Sequence, residues 1–229
     1  MSRPTHAPLL LGLTGHAGTG KDTVGALLQA AGWHRASFAG ALRMEVAEHW
    51  RVDPRLLVER ATKEAAMPGM AAGMVHDADW LRWAAVQGHS LTTPRSPRWA
   101  LQQWGSYRRC RRADYWVQHV HTWLATVARH DPNASRVITD VRYPNEAAAL
   151  RALGGHIVRV HRPDGATQLA ADTAAHDSER HLQIQADADM VNDGTVYDLA
   201  LEVRRVVYLL APTHTQPTTP PAAGDREHA

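Results

Sequence analysis

The chain has 229 residues, 44% of them hydrophobic, and its 25 Lys and Arg nearly balance 23 Asp and Glu, leaving a net charge of +2. That is enough apolar material for a sizeable core, and too little charge imbalance for a broad nucleic-acid footprint or a wholly disordered chain. The single cysteine, Cys110, excludes an internal disulfide, no Cys/His cluster has zinc spacing, and no apolar run is long enough for a bilayer. The short apolar stretch near the N-terminus ends in glycines rather than a cleavage site, so a reducing cytoplasm is expected.

Residues 1–8 and 212–229 are polar or Pro/Thr-rich and aperiodic. They are expected to be disordered tails around a single domain over 9–211. LLLGLTG (9–15) is a short apolar run ending in glycine, as in a buried parallel strand. GHAGTGKDT follows, made of Gly15, His16, Ala17, Gly18, Thr19, Gly20, Lys21, Asp22 and Thr23. It has the GxxxxGK spacing of a phosphate loop, but Asp22 stands where Ser or Thr normally gives Mg²⁺ an oxygen. The hydroxyl comes one step late, at Thr23. Residues 21–31 read as a helix closed by Gly32, so strand, turn and helix occur in the order such a loop needs. Backbone N–H groups and the helix N-terminus then face an anion, while the lysine reaches the outer phosphates. Beside a bound triphosphate Asp22 must point away, pair with an arginine or help order the waters of Mg²⁺, and the first is expected.

RASFA (35–39) reads as a second strand and 41–50 as a helix. Asp53 as N-cap and Pro54 at the first helical position open a helix over 53–62. The stretch 63–75, rich in Met and Gly, has no clear period. Residues 77–87, 96–105 and 114–130 read as helices. Arg95, Arg98, Arg108, Arg109, Arg111 and Arg112 crowd one segment, with Arg43 in an earlier helix. The crowding suggests a second anion site, because the planar guanidinium fork binds phosphate oxygens in pairs. Trp99, Trp104 and Trp116 lie among these arginines, where they could stack on a base or form helix–helix core, the commoner use.

RVITD (136–140) is a strand with Asp140 at its C-terminal tip, where ligands bind in open α/β sheets. Asp140 could order a Mg²⁺-bound water there, and Arg142 could meet a phosphate. A helix over 144–155, strands over 156–162 and 188–193, and a helix over 194–210 capped by Thr195 complete the chain. The alternation predicts an α/β fold, a parallel five-stranded sheet flanked by helices, with the helical interval 41–130 inserted over its active edge. Arg159, Arg162 and Arg180 flank a candidate lid over 163–181.

Several strings taken together resemble the bacteriophage-type deoxynucleoside monophosphate kinases, P-loop kinases related to adenylate kinase. They are GHAGTGKDT (15–23), SFAGALR (37–43), SPRWALQQWGSYRR (96–109), DYWV (114–117), VITDVRYPNEAAALRALGGHIVRVHRP (137–163), HDSE (176–179) and NDGTVYDL (192–199). The resemblance implies a P-loop NTPase fold with a helical acceptor-binding insert and a lid. It also implies transfer of the γ-phosphate of ATP to a deoxynucleoside monophosphate with Mg²⁺. By position it implies that residues 15–23 hold ATP, with Thr23 on a phosphate, as in adenylate-kinase-like enzymes that lack a hydroxyl after the lysine. Arg43, Arg98, Gln102, Trp104, Arg108, Arg109, Trp116, His176 and Glu179 are the implied acceptor residues. Lys21, Arg109, Asp140 and Arg142 are the implied catalytic residues, Asp140 holding the metal through water.

The chain departs from the family near Gly40, where an acidic residue is common, and the run 108–112 aligns in more than one way. ATP and a deoxynucleoside monophosphate are the expected partners, with no membrane and no stable nucleic-acid complex; a homodimer is compatible. The expected compartment is the cytoplasm, of a bacterial host if the protein is viral. By themselves the residues also allow a P-loop kinase for another small phosphorylated acceptor, or a nucleic-acid-binding protein.

Overall fold

The computed structural model describes residues 7–163 and 183–211. The candidate lid beyond Pro163, with His176 and Glu179, and the tail from 212 onward lie outside the described residues. Strands β1 (Leu10–Thr14), β2 (His34–Ala36), β3 (Arg136–Ile138), β4 (His156–His161) and β5 (Ala188–Val191) form one sheet. Its order is β2-β3-β1-β4-β5, and every pairing is parallel. Helices cover both faces, as the alternation predicts.

The side-chain alternation of β1 divides the core. Leu11 and Leu13 pack with Val24 and Leu28 of α1 (Lys21–Ala30) and with Leu199, Val203 and Val206, which lie on the last helix. Leu10 belongs to the opposite cluster. Gly12, two residues on, lets Leu150 approach so closely that a Cβ would lie 2.7 Å from it.

Between β2 and β3 lies the helical insert: α2 (Phe38–Trp50), α3 (Arg60–Lys63), α4 (Ala78–Val86), α5 (Pro97–Arg111) and α6 (Tyr115–His130). The α7 helix (Pro144–Ala152) precedes β4, and α8 (Val196–Leu210) ends the described chain. Asp77, Ser96 and Thr195 cap α4, α5 and α8 through side-chain oxygens. The insert is built on tryptophan. Trp50, Trp80 and Trp104 lie with ring centroids 5.2–5.5 Å apart, and all three are buried. Indole N–H groups of Trp50 and Trp80 donate to carbonyls of Met70, Ala71 and Ala72. A ring with both a large apolar face and a polar edge can thus hold the irregular turns of 68–74.

Several boundaries move from their sequence positions. Phe38 and Ala39 belong to α2 and not to β2. Ser37 is that helix's N-cap, accepting from Gly40 N, and the carboxylate of Asp140 takes the amides of Phe38 and Ala39. For the same reason β3 stops at Ile138 rather than continuing to Asp140. The helix expected over 53–62 is a 3₁₀ turn, Pro54–Leu57, followed by the separate α3. The α5 helix continues past residue 105 to Arg111.

Candidate active site

The phosphate-loop string does connect β1 to α1 at the C-terminal edge of the sheet. Gly15, Gly18 and Gly20 all have positive φ, 132°, 80° and 99°. At Gly15 a Cβ would come 2.4 Å from the carbonyl oxygen of Val160, and at Gly20 2.4 Å from Nδ2 of Asn192. Asn192 donates from that atom to Thr19 O at 2.9 Å, and Thr19 Oγ1 donates to His16 O. The loop is therefore braced from β4 and from the residue after β5. Gly20 is the N-cap of α1 and offers no side-chain acceptor, which leaves the helix's first N–H groups to an anion. Nucleotide phosphates fit this cradle: its backbone occupies conformations only glycine takes readily, and the first N–H groups of α1 have no side-chain cap.

Lys21 Nζ donates to the loop carbonyls of Gly15, at 2.8 Å, and His16. Burial, helped by the neighbouring charge of Arg142, lowers its pKa to about 8, while Asp22 and Asp140 oppose the shift. Asp22 pairs with Arg35 Nη2 at 2.7 Å.

Asp140 holds the start of α2 with both oxygens, at 2.7 and 2.8 Å. Burial raises its pKa, opposed by those amides and by the charges of Arg142 and Arg43. No group of three or more acidic, Cys or His side chains with metal-binding geometry exists among the described residues. With both Asp140 oxygens engaged by amides, a Mg²⁺ here would be held mainly by nucleotide oxygens and water, and Asp140 could act on it only through water.

A second group of cations bears electrostatically on Lys63, a residue that carries no functional signal in the sequence. Burial lowers its pKa, followed by the charges of Arg98, Arg43 and Arg142, against Glu64. These come from α3, α5, α2 and the turn after β3. Arg142 is thus felt both at Lys21 and at Lys63. Arg98 pairs with Glu64, and Arg43 lies 3.4 Å from Ser37 Oγ. Gln102 is exposed on α5.

Three residues expected at the acceptor do other work. Trp104 is fully buried against Trp50, Trp80 and Tyr107, and Trp116 is buried with its indole N–H toward Gly105 O, so neither offers a face to a base. Arg108 stacks on Trp104 and Tyr115 and donates to Glu45 at 3.0 Å. Glu45 also accepts from Trp104 and Tyr115, and His119 lies 3.2 Å away. Desolvation would raise the Glu45 pKa, but the bonds from Tyr115 and Trp104 and the charge of Arg108 bring it below the usual range. This one carboxylate joins α2, α5 and α6.

Arg109 turns the other way. Its guanidinium lies 4.1 Å over the ring of Tyr143 and 4.0 Å from Glu146. Glu146 is buried and accepts the amides of Arg142 and Tyr143. Burial pushes its pKa to about 7, with Asp140 adding to the rise and the amides and Arg109 opposing it. A Glu three residues into a helix is a sequence sign of N-terminal capping, and that signal could have singled it out. Lys63 and Glu45 carry no comparable signal.

Residues 96–203 match the deoxynucleotide monophosphate kinase family. The matched stretch runs from the start of α5 into α8 and includes Arg98, Arg109, Asp140, Arg142 and Glu146. A protein of Acanthamoeba polyphaga mimivirus, named "Putative deoxynucleotide monophosphate kinase", is 30% identical over 89 residues. That is 38% of this chain and 44% of the relative, so the match spans less than half of the viral protein. Among solved structures, TT1252 from Thermus thermophilus is 18% identical with a TM-score of 0.45, covering 89% of this chain and 98% of that one. A dephospho-CoA kinase from Campylobacter jejuni is 10% identical with a TM-score of 0.46, covering 88% and 97%. Both scores lie below 0.5, and the fold assignment rests on the strand order and the loop. Over residues 96–203 the chain is thus similar to deoxynucleotide monophosphate kinases.

Proposed function

We propose that the protein transfers the γ-phosphate of ATP to a deoxynucleoside monophosphate, giving ADP and the deoxynucleoside diphosphate. The observations that carry this reading are the glycine loop between β1 and α1, with Gly15, Gly18 and Gly20 at positive φ before an uncapped helix start, and the match of residues 96–203 to the deoxynucleotide monophosphate kinase family. The charge of Arg142 bears on both Lys21 and the Lys63 group. Two anion sites that share a cation are what transfer between two phosphorylated molecules requires.

The loop amides, Lys21 and Thr23 hold the triphosphate. Arg43, Lys63 and Arg98 hold the acceptor's phosphate, and Arg142, supported by Arg109, lies between. An acceptor phosphate oxygen attacks the γ-phosphorus as the bond to the bridging oxygen of ADP breaks. The acceptor is already anionic near neutral pH, so the step needs no strong general base; it needs two repelling anions held in line. Bound Mg²⁺ would neutralise charge on the β- and γ-phosphates, and Asp140 would orient its waters. No described helix is long and apolar enough to cross a membrane.

The test is a coupled ADP-release assay with ATP, Mg²⁺ and a panel of acceptors: the four common deoxynucleoside monophosphates, their ribose counterparts and dephospho-CoA. Turnover of at least one deoxynucleotide, absent in Lys21→Ala, is expected. Turnover of dephospho-CoA alone would reassign the acceptor.

A further inference from the structure

We propose that Glu146 is a positioning residue for phosphoryl transfer, setting Arg142 through the backbone and Arg109 through charge. The proposal rests on the kinase reading and extends it to a residue that touches neither substrate.

Glu146 is only 3% exposed. One carboxylate oxygen, Oε2, accepts Arg142 N at 2.8 Å and Tyr143 N at 3.1 Å. The other, Oε1, faces Arg109 Nη2 at 4.0 Å. Arg109 is held from below by the Tyr143 ring, and it runs beside Gly105, where a Cβ would come within 3.3 Å of Nη1. The charges that act on the carboxylate are those of Asp140 and Arg109, while Arg142 and Tyr143 reach it through their backbone amides.

An ordinary helix cap needs less than this. Capping α7 requires only an acceptor for two N–H groups, which a glutamine supplies equally well. Burying a carboxylate is costly unless its charge is used, and the remaining oxygen is turned to Arg109. The two functions can therefore be separated. Glu146→Gln keeps the cap and deletes the charge, so the turn at Arg142 survives while Arg109 loses its anchor.

Two measurements test this. In the kinase assay, Glu146→Gln should lower kcat/KM for the acceptor at least tenfold, with KM for ATP changed less than twofold and melting temperature nearly unchanged. Arg109→Gln should cause a similar loss, and the double variant should be little worse than either single one. Equal acceptor kinetics in Glu146→Gln and wild type, or fully additive losses in the double variant, would overturn the proposal.

The second readout needs no turnover. Inorganic phosphate is titrated calorimetrically into Lys21→Ala, in which the loop lysine is gone, and into Lys21→Ala/Glu146→Gln. Phosphate affinity at the arginine side should fall about tenfold with Glu146→Gln. An unchanged affinity would count against the proposal even if no deoxynucleotide proved to be a substrate. Wild-type inactivity on every acceptor would instead sink the kinase reading and leave this titration to judge Glu146. Should Glu146→Gln fail to fold, Arg109→Gln in the Lys21→Ala background reads the same pair from its less buried partner.

Discussion

Asp22 and Arg35 meet at 2.7 Å, carboxylate oxygen to Nη2, across the gap between α1 and β2. Gly25 keeps that gap open, since a Cβ there would lie 2.9 Å from Arg35 Nε and 2.5 Å from Thr139 Cγ2. The residue that breaks the usual GK[ST] pattern thus pairs with an arginine, one of the options open to a carboxylate beside a triphosphate, and that arginine is Arg35. The Asp22 side chain is 90% exposed, and exposed pairs contribute only about 0–1 kcal/mol. Asp22→Ser should therefore keep turnover within about twofold and hardly alter the melting temperature. A large drop in kcat would put Asp22 among the groups that order the metal's waters.

The loop glycines should differ in their sensitivity. Gly15 has a carbonyl oxygen in the way of any Cβ and a φ of 132°, so Gly15→Ala should cost on the order of 1–3 kcal/mol and lower ATP affinity. Gly18 has open space around it and only its φ of 80° to overcome, so Gly18→Ala should cost about 1 kcal/mol. Denaturant melts and ATP titrations of the two variants give the comparison; a milder effect at Gly15 would contradict it.

Lys21 sets a pH limit. Its pKa of about 8 lies below the ordinary lysine value because burial and Arg142 disfavour the ammonium. Above that pH the empty loop loses its cation, and triphosphate binding must restore the proton. Binding should therefore weaken as pH rises from about 8 towards the ordinary lysine range, and proton uptake should accompany it there. Calorimetry in buffers of different ionisation enthalpy measures that uptake, and its absence above pH 8 would contradict the assignment.

Charge pairs in the insert should be unequal in stability. Glu45 serves Trp104, Arg108 and Tyr115 from a largely buried position. Glu45→Ala leaves Arg108 unpaired and should cost roughly 3 kcal/mol. Arg98→Ala breaks a half-exposed pair with Glu64 and should cost less than about 1 kcal/mol. Urea denaturation of the two variants decides the order.

The strands, the loop and the capped helices were legible because each is written locally, in apolar runs, glycines and capping residues. Asp53-Pro54 misled: the cap is real, with Asp53 accepting from Arg55 N, but the helix it starts stops after one turn. The boundary at Phe38 could not be read locally, because it depends on Asp140, a residue 102 positions away. The arginine crowd was read as one anion site. It divides by partner instead, Arg108 to Glu45, Arg109 to Glu146 and Arg98 to Glu64, and nothing local in the sequence says which carboxylate each helix turn will meet. Lys63 was invisible for the same reason, since only the fold brings it to Arg43, Arg98 and Arg142.

The most direct measurement follows the γ-phosphate itself. ATP labelled at that position is mixed with excess enzyme, Mg²⁺ and each deoxynucleoside monophosphate, and the products are separated after one turnover. The label should appear as the β-phosphate of a deoxynucleoside diphosphate, in equal amount to the ADP formed. Label found only in inorganic phosphate, or no transfer to any of the four acceptors, would contradict the proposed function.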